Sequence, residues 1–143
     1  MTKLIVIPVF VTTALLAVTV TGREVQPFMD LSFDHALELA GTQDKIIMAK
    51  FYADWCHLCR KMDKETFTDP DVQEALTLFI PIRVDVDQRQ GFKLAQDVGV
   101  VSLPTIVFFD PSGKVVGKYV GFHSPDTLKR ILEKHRVSTG VEG

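Results

Sequence analysis

The alternation of apolar and polar positions along the chain predicts a set of short strands and amphipathic helices. Residues 46–53 (IIMAKFYA) form an almost uninterrupted apolar run, which predicts a central strand covered on both of its faces. Segments 79–86 and 105–110 are also predicted strands, and 114–121 follows an Asp-Pro-Ser-Gly turn, which predicts a closing hairpin. Helices are expected at 33–40, from about 56 to 65, at 70–78, at 91–98 and from 125 to about 135.

After the first helix, the order of these elements is β-α-α-β-α-β-β-α, with parallel strands first and a hairpin last. Such an order predicts an α/β architecture in which a central mixed sheet is flanked by helices on both faces. The 143 residues are enough for one domain. We assign this domain to residues 23–143, with a tail that is expected to be loose from Val137 onward.

The first 22 residues differ in composition from the rest of the chain. The 17 residues from Leu4 to Val20 carry no charge, and they lie between the positive Lys3 and Arg23. This pattern is typical of an export signal. The run is also at the short limit for a membrane-spanning helix, and no clean A-x-A cleavage site follows it. Residues 1–22 are therefore predicted to be a cleaved export signal or an N-terminal membrane anchor, which places the domain in the periplasm or otherwise outside the cytoplasm.

The overall composition argues against some classes of function. Hydrophobic residues make up 46% and charged residues 24% of the chain, as in ordinary globular domains. The formal net charge is −2, and the lysines and arginines are not clustered, so we expect no nucleic-acid partner. The scattered histidines His35, His123 and His135 are expected at the surface.

The two cysteines carry the candidate chemistry. Cys56 and Cys59 are the two cysteines of the sequence, and they lie three positions apart. A disulfide that encloses two residues constrains the unfolded chain little, so a structural role would add little stability. Cys56 follows the buried strand and is predicted at a helix start, where unpaired amides and the helix dipole favour a thiolate. We therefore predict a redox pair in which Cys56 is the nucleophile and Cys59 is the resolving thiol.

The segment around this pair, FYADWCHLC, resembles the active-site segment of thioredoxins. The longer stretch from Tyr52 to Leu76, together with SLPTIVFFDPSGK and the Gly121-Phe122 pair, is similar to one branch of that family. This branch is the C-terminal periplasmic domain of the bacterial transmembrane thiol:disulfide interchange reductases. The resemblance covers roughly Phe28 to Leu132 and implies a thioredoxin fold and dithiol exchange. We expect no cofactor other than a redox-active Cys56–Cys59 disulfide.

The resemblance also implies how a partner protein binds. It implies that Pro104 is a cis-proline facing the two cysteines, whereas the sequence alone leaves a trans turn proline open, because cis is the minority state. A cis-proline beside the disulfide would let the backbone at Leu103 pair with an extended segment of the partner. The residues expected to form the contact surface with Pro104 are Trp55, His57, Leu58, Leu103, Gly121 and Phe122.

Two positions depart from the usual thioredoxin pattern. The dipeptide between the cysteines is His57-Leu58 instead of Gly-Pro, and Lys50 stands where thioredoxins and the closer branch usually carry a buried acid. Asp63 lies four residues after Cys59, on the same helix face, and is either a substitute acid or a solvated one. Lys50, the only charge in its strand, is predicted either to pair with Asp63 beneath the cysteines or to extend its head to water. His57 can stabilise the thiolate when protonated, or it can face solvent and shape the contact with the partner.

Two other functions remain open at this point. The cysteine pair can hold a soft ion such as Cu(I), with Met62 or His57 as a further ligand. A four-coordinate zinc site needs further ligands, and no other residues of the chain have the spacing to supply them. Haem attachment needs the motif C-x-x-C-H, whereas Arg60 follows Cys59 here. We therefore assign no resident metal ligands. The other alternative is a redox-inert binding domain, against which the intact cysteine pair argues.

The expected partners are disulfide-containing proteins, and the chain is expected to be a monomer. The resemblance to a branch that passes electrons outward favours a reductant or an electron relay. Two cysteines in a small domain hold no supply of electrons, so a membrane-embedded electron donor is implied. Lys50, His57 and Asp63 are expected to tune the pKa of the thiols, the two cations favouring thiolate and the carboxylate opposing it.

Overall fold

The structure, a computed structural model, describes residues 27–136. The export signal or anchor predicted for residues 1–22 and the loose tail predicted from Val137 lie outside the described residues. Within 27–136, no helix combines the length and the apolar character needed to cross a membrane. The helices are α1 (Phe33–Gln43), α2 (His57–Glu65), α3 (Pro70–Leu76), α4 (Arg89–Asp97) and α5 (Pro125–Arg136), and the strands are β1 (Ile47–Tyr52), β2 (Ile80–Asp85), β3 (Thr105–Phe109) and β4 (Val115–Val120).

In the described part of the chain, the four strands form one mixed sheet in the order β2-β1-β3-β4. β1 pairs with β2 in parallel, whereas β3 runs antiparallel to both β1 and β4. The predicted sheet, with parallel strands first and a hairpin last, is therefore confirmed. β1 is a central strand, and its residues 47–51 are buried because helices cover both faces of the sheet.

Successive side chains of β1 point to opposite faces of the sheet, and this alternation builds two apolar layers. Met48 lies in the layer beneath α3 and α5, where it joins Leu76 and Leu128. Phe51 lies in the other layer, against α1 and α4. Lys50 has the same parity as Met48. A charged side chain therefore enters the apolar layer that α2 also covers.

Two helix starts differ from the prediction made from the sequence. α2 begins at His57, one position later than expected, and α4 begins at Arg89 instead of Gly91. Gln88 precedes α4 without a side-chain capping bond, so the sequence has no capping signal at this start. Gly91 serves packing instead, because a Cβ there would lie 2.0 Å from the carbonyl oxygen of Asp85.

His135 is buried, which corrects the prediction that it lies at the surface. It is 5% exposed, because it shares a face of α5 with Leu128 and other buried residues of that helix. Its ring stacks on Phe108 at a centroid distance of 4.2 Å, and its Nε2 lies 2.9 Å from the Tyr119 hydroxyl. Gly117 leaves the space for this ring, since a Cβ there would lie 2.5 Å from the imidazole.

We expect folding stability to fall as the pH drops below neutrality. Burial lowers the pKa of His135, with Lys134 adding to the shift, and burial also lowers the pKa of the half-buried His123. In the unfolded chain both imidazoles titrate near 6.5, so at lower pH the unfolded state binds more protons than the folded state. This part of the stability is therefore full above about pH 7 and is lost as the pH falls through about 6.5 towards the lower folded-state pKa values.

Urea unfolding midpoints, measured at several values between about pH 8 and about pH 5, test this expectation. His135→Phe should reduce the pH dependence to the part that comes from His123, because the variant no longer has the His135 imidazole to protonate. His35→Gln is the matched control and should leave the dependence unchanged, because His35 is exposed. A midpoint that stays constant over this range in the wild-type protein would show that the buried histidines do not govern its acid sensitivity.

Candidate active site

Cys56 lies between the end of β1 and the start of α2, and Cys59 lies in the first turn of that helix. The two residues are joined by a disulfide, with their Cα atoms 5.2 Å apart. Cys56 is 6% exposed and Cys59 is 1% exposed. Cys56 is therefore the more accessible cysteine, which is consistent with its predicted role as the nucleophile.

Cys56 is the N-cap residue of α2. Its backbone is extended, with φ −76° and ψ 106°, and its Sγ accepts a hydrogen bond from the Cys59 N–H at 3.1 Å. A helix has unpaired amide donors and the positive end of its dipole at this end. In the reduced protein, the same amide is positioned to stabilise a thiolate on Cys56.

Lys50 pairs with Asp63 beneath the cysteine-bearing turn. The Lys50 side chain is 0% exposed, and its Nζ donates to Asp63 Oδ1. The same Nζ lies 3.4 Å from the Cys59 carbonyl oxygen. Of the two alternatives predicted for Lys50, the structure shows the pair and not the water-facing side chain. Asp63 is 19% exposed, so it is a partly buried ion-pair partner and not a freely solvated acid.

The surroundings of Lys50 explain why burying its ammonium group costs free energy and how that group is nevertheless stabilised. Burial lowers the pKa of Lys50, because desolvation disfavours the ammonium form, and the hydrogen bond that Lys50 donates to Asp63 opposes that shift. The rings of Phe28, Tyr52 and Phe67 lie 5.9, 5.8 and 5.2 Å from its Nζ, and aromatic faces attract cations at such distances. The ammonium is therefore stabilised by one carboxylate and by the three aromatic rings around it.

Arg83 is a third charged residue of this cluster, and its place in the site is not predicted from the sequence. Its Nη2 lies 3.4 Å from Asp63 Oδ2, and its guanidinium lies 4.0 Å from the centre of the Tyr52 ring. Lys50 and Arg83 are opposite one another in the parallel register of β1 and β2. The sequence shows that Arg83 interrupts an apolar strand, but it does not show that this strand sets Arg83 beside Lys50.

Several residues of the predicted contact surface lie beside the disulfide. Trp55 is 68% exposed, and its Nε1 donates to the Asp87 carboxylate at 3.0 Å. Leu103 packs against the cluster that contains Cys56 and Cys59. The Leu103-Pro104 peptide bond is cis, as the resemblance implied.

The remaining predicted contact residues are linked to the same region. The Gly121 N–H donates to the Pro104 carbonyl oxygen at 2.8 Å, and Gly121 has φ +93°, a conformation that favours glycine. Phe122 lies beside α2, because Lys61 Nζ is 4.7 Å from the centre of its ring. His57 and Leu58 are exposed in the first turn of α2. The role of this surface in binding a partner remains a prediction.

The sequence of the chain matches a known protein family over most of the described residues. The family model of the thioredoxin-like domain matches residues 33–136. The chain belongs to the thioredoxin-like family. It is 35% identical, over 125 residues, to the thiol:disulfide interchange protein DsbD of Tatumella citrea. The aligned region is 83% of this chain but 22% of that relative, so the thioredoxin-like chain spans a small part of the length of the curated protein that it matches.

Solved structures show the same thioredoxin-like fold. A thioredoxin from Thermus thermophilus has a TM-score of 0.69 and 28% identity, with 76% of this chain and 86% of that chain covered. The C-terminal domain of DsbD from Neisseria meningitidis, in its oxidised form, has a TM-score of 0.64 and 24% identity, with 71% of this chain and 91% of that chain covered. The predicted thioredoxin fold is therefore confirmed. With the Cys56–Cys59 disulfide at its helix start, the thioredoxin-like chain has a cysteine pair placed for thiol–disulfide exchange.

The alternative metal-binding function concerns the same two cysteines. Within residues 27–136, no group of three or more histidine, cysteine, aspartate or glutamate residues is placed to hold a metal ion. Cys56 and Cys59 form a disulfide in this structure. A soft ion such as Cu(I) binds thiolates, so the alternative metal function would require the reduced form of the pair.

Proposed function

We propose that this protein works outside the cytoplasm, where it reduces disulfides in partner proteins or relays electrons to them. The observation that carries the proposal is the Cys56–Cys59 disulfide at the start of α2, with Cys56 as the N-cap residue. The likeness to a thiol:disulfide interchange protein supports the electron-relay function. The uncharged run from Leu4 to Val20 supports export, either with cleavage or with retention as an anchor.

The proposed reaction is a pair of thiol–disulfide exchanges. The Cys56 thiolate attacks one sulfur of the partner's disulfide, forms an intermolecular S–S bond and expels the partner's other sulfur as a thiolate. Cys59 then loses its proton and attacks Cys56 Sγ, which forms the Cys56–Cys59 disulfide and releases the partner's first sulfur. Two electrons pass to the partner. Its two thiolates take up two protons, one equivalent to that lost by Cys59 and one from solvent.

The charged groups around the pair are proposed to set the acidity of the thiols. The Lys50 cation and a protonated His57 favour thiolate, whereas the Asp63 carboxylate opposes it. Stabilising the reduced form raises the reduction potential, and the potentials of such dithiols span roughly −270 to −120 mV. The cations therefore act against the reducing direction. A reductant with these charges depends on a donor that keeps the pair reduced.

We propose a membrane-embedded protein as that donor and disulfide-containing proteins as the acceptors. The redox-active disulfide is proposed to be the only redox group of the protein, and the protein is proposed to act as a monomer. A donor is needed because two cysteines in a small domain hold no supply of electrons, and the likeness to the thiol:disulfide interchange protein DsbD supports such a relay.

The in-cell redox state of the cysteine pair tests the direction of electron flow. Cells are quenched with acid, free thiols are alkylated, and the reduced and oxidised forms are separated by their mass. We expect a mostly reduced pair that becomes oxidised when the membrane supply of electrons is removed. A pair that stays oxidised in growing cells, with a potential near the upper end of the range for such dithiols, would make the protein an oxidase instead.

An insulin-reduction assay with a thiol donor tests the class of function separately. Turnover above the rate of the donor alone supports the oxidoreductase. Retention of Cu(I) by the reduced protein, without any such turnover, would support the metal-binding alternative and contradict the proposal.

A further inference from the structure

We propose that Arg83 is a positioning residue for the redox pair, which holds the Asp63 carboxylate against Lys50 and maintains a net positive charge beneath Cys59. This inference rests on the proposed redox function of Cys56 and Cys59. It concerns a residue on β2, the strand next to β1, whose guanidinium acts on the cysteines through Asp63 and Lys50.

The geometry divides the Asp63 carboxylate between two cations. Lys50 Nζ donates to Oδ1, and Arg83 Nη2 lies 3.4 Å from Oδ2. Arg83 is itself fixed in place, because its guanidinium lies 4.0 Å from the centre of the Tyr52 ring and 5.8 Å from that of Phe28. With both oxygens engaged, the carboxylate has one preferred orientation, and this orientation presents Oδ1 to the buried ammonium.

The charges in this cluster do not cancel. One carboxylate and two cations leave a formal charge of +1, and Lys50 Nζ reaches to 3.4 Å from the Cys59 carbonyl oxygen. Burial makes the ammonium form of Lys50 costly, so this residue needs an ionised Asp63 to remain a cation. Arginine is always charged in proteins. The Arg83 cation by itself lowers the pKa of Lys50, whereas the Asp63 carboxylate that Arg83 contacts raises it and so favours the ammonium.

This charge acts on the cysteines together with the other ionisable groups at the same end of the sheet. Burial raises the pKa of Tyr52, and the Arg83 cation, which lies 4.0 Å from the centre of that ring, opposes the shift. The groups to be considered in a thiol titration are Lys50 and Tyr52 from β1, Arg83 and Asp85 from β2, Asp54 from the turn after β1, and His57 and Asp63 from α2.

The experiment compares the full-length protein with Arg83→Met, Arg83→Gln and Arg83→Lys. The proton affinity of the Cys56 thiolate is measured from the pH dependence of alkylation, and the reduction potential is measured in glutathione buffers. Removing one cation should raise that proton affinity roughly three- to tenfold in the Met and Gln variants and make the potential more negative. Arg83→Lys keeps the charge and should recover at least half of the change.

Arg130→Met is the matched control, since its guanidinium contacts Thr127 on the exposed side of α5. Titration and potential should not change in this control. The proposal is wrong if Arg83→Gln, folded as judged by its urea midpoint, titrates like the Arg130→Met control. It is also wrong if Arg83→Lys shifts the titration as much as Arg83→Gln. Failure of the wild-type protein to reduce insulin would reject the proposed function instead, because the titration does not depend on turnover.

Discussion

The Cys59→Ser variant is expected to accumulate partner proteins as mixed disulfides, whereas Cys56→Ser is expected to accumulate few. Cys56 is the more accessible cysteine and the N-cap residue of α2, so it forms the first bond with the partner. Cys59 is buried one turn along the helix and has the task of breaking that bond. When Cys59 lacks its sulfur, the intermediate has no internal route to resolution.

Affinity purification of each variant from cells, followed by non-reducing gels, measures this difference. High-mass bands that collapse on reduction should dominate in Cys59→Ser. Insulin reduction by both single variants should fall to the rate of the thiol donor alone, and the double variant Cys56→Ser/Cys59→Ser is the control for bands that arise without either thiol. Equal trapping by the two single variants would reject the assignment of nucleophile and resolving thiol.

The Lys50→Met variant is expected to be less stable than the wild-type protein and to have a smaller fraction of Cys56 as thiolate. The substitution leaves Asp63 with Arg83 alone. Breaking a fully buried pair costs about 3–5 kcal/mol, and we expect about 2 kcal/mol here, because Asp63 is 19% exposed and keeps one cation. The Cys56 pKa should rise by about one unit, because a cation beneath the helix start is gone.

A second substitution separates charge from packing. In Lys50→Met/Asp63→Leu the pair is replaced by apolar side chains, which is often neutral for stability, so most of the loss should be recovered. The Arg83 cation then stands without the carboxylate, so the Cys56 pKa should return towards the wild-type value. Urea unfolding and pH-dependent alkylation measure the two effects. Lys45→Met is the matched control at the other end of β1, where Lys45 Nζ contacts the Thr77 carbonyl oxygen at 3.3 Å. An unchanged thiol titration in Lys50→Met would show that the buried ammonium does not act on the cysteines.

Most of the fold could be predicted from local patterns. The apolar run of β1 and the turn before β4 are recognisable from neighbouring residues in the sequence. Every predicted strand end agrees with the structure to within one residue. The start of α4 could not be predicted in this way. Gln88 gives no capping bond there, and Gly91 is required by the approach of Asp85 from another element.

The parts of the site that depend on residues close together in the sequence could be predicted. The parts that depend on the register between two strands could not. Cys56 and Cys59 are recognisable because a strand, a turn and a helix start follow one another. Asp63 is one helical turn away from Cys59, so its position near the cysteines could also be predicted. Arg83 is paired with Lys50 through β2 and β1, and no local pattern reveals which residues of two strands face one another. His135 illustrates the same limit, because the space that it fills exists through Gly117 on β4.

The point at which the polypeptide enters the domain has a consequence for its orientation at a membrane. The Met29 N–H donates to the Pro81 carbonyl oxygen at 2.8 Å, so the chain enters beside the start of β2, whereas Cys56 lies beyond the end of the parallel β1. The six residues of β1 span about 20 Å. If residues 1–22 stay in a bilayer, as proposed above, the anchored chain enters the described domain at the end of β1 opposite Cys56. The proposed donor in the same bilayer would then have to reach a disulfide that lies about the length of β1 away from this entry point.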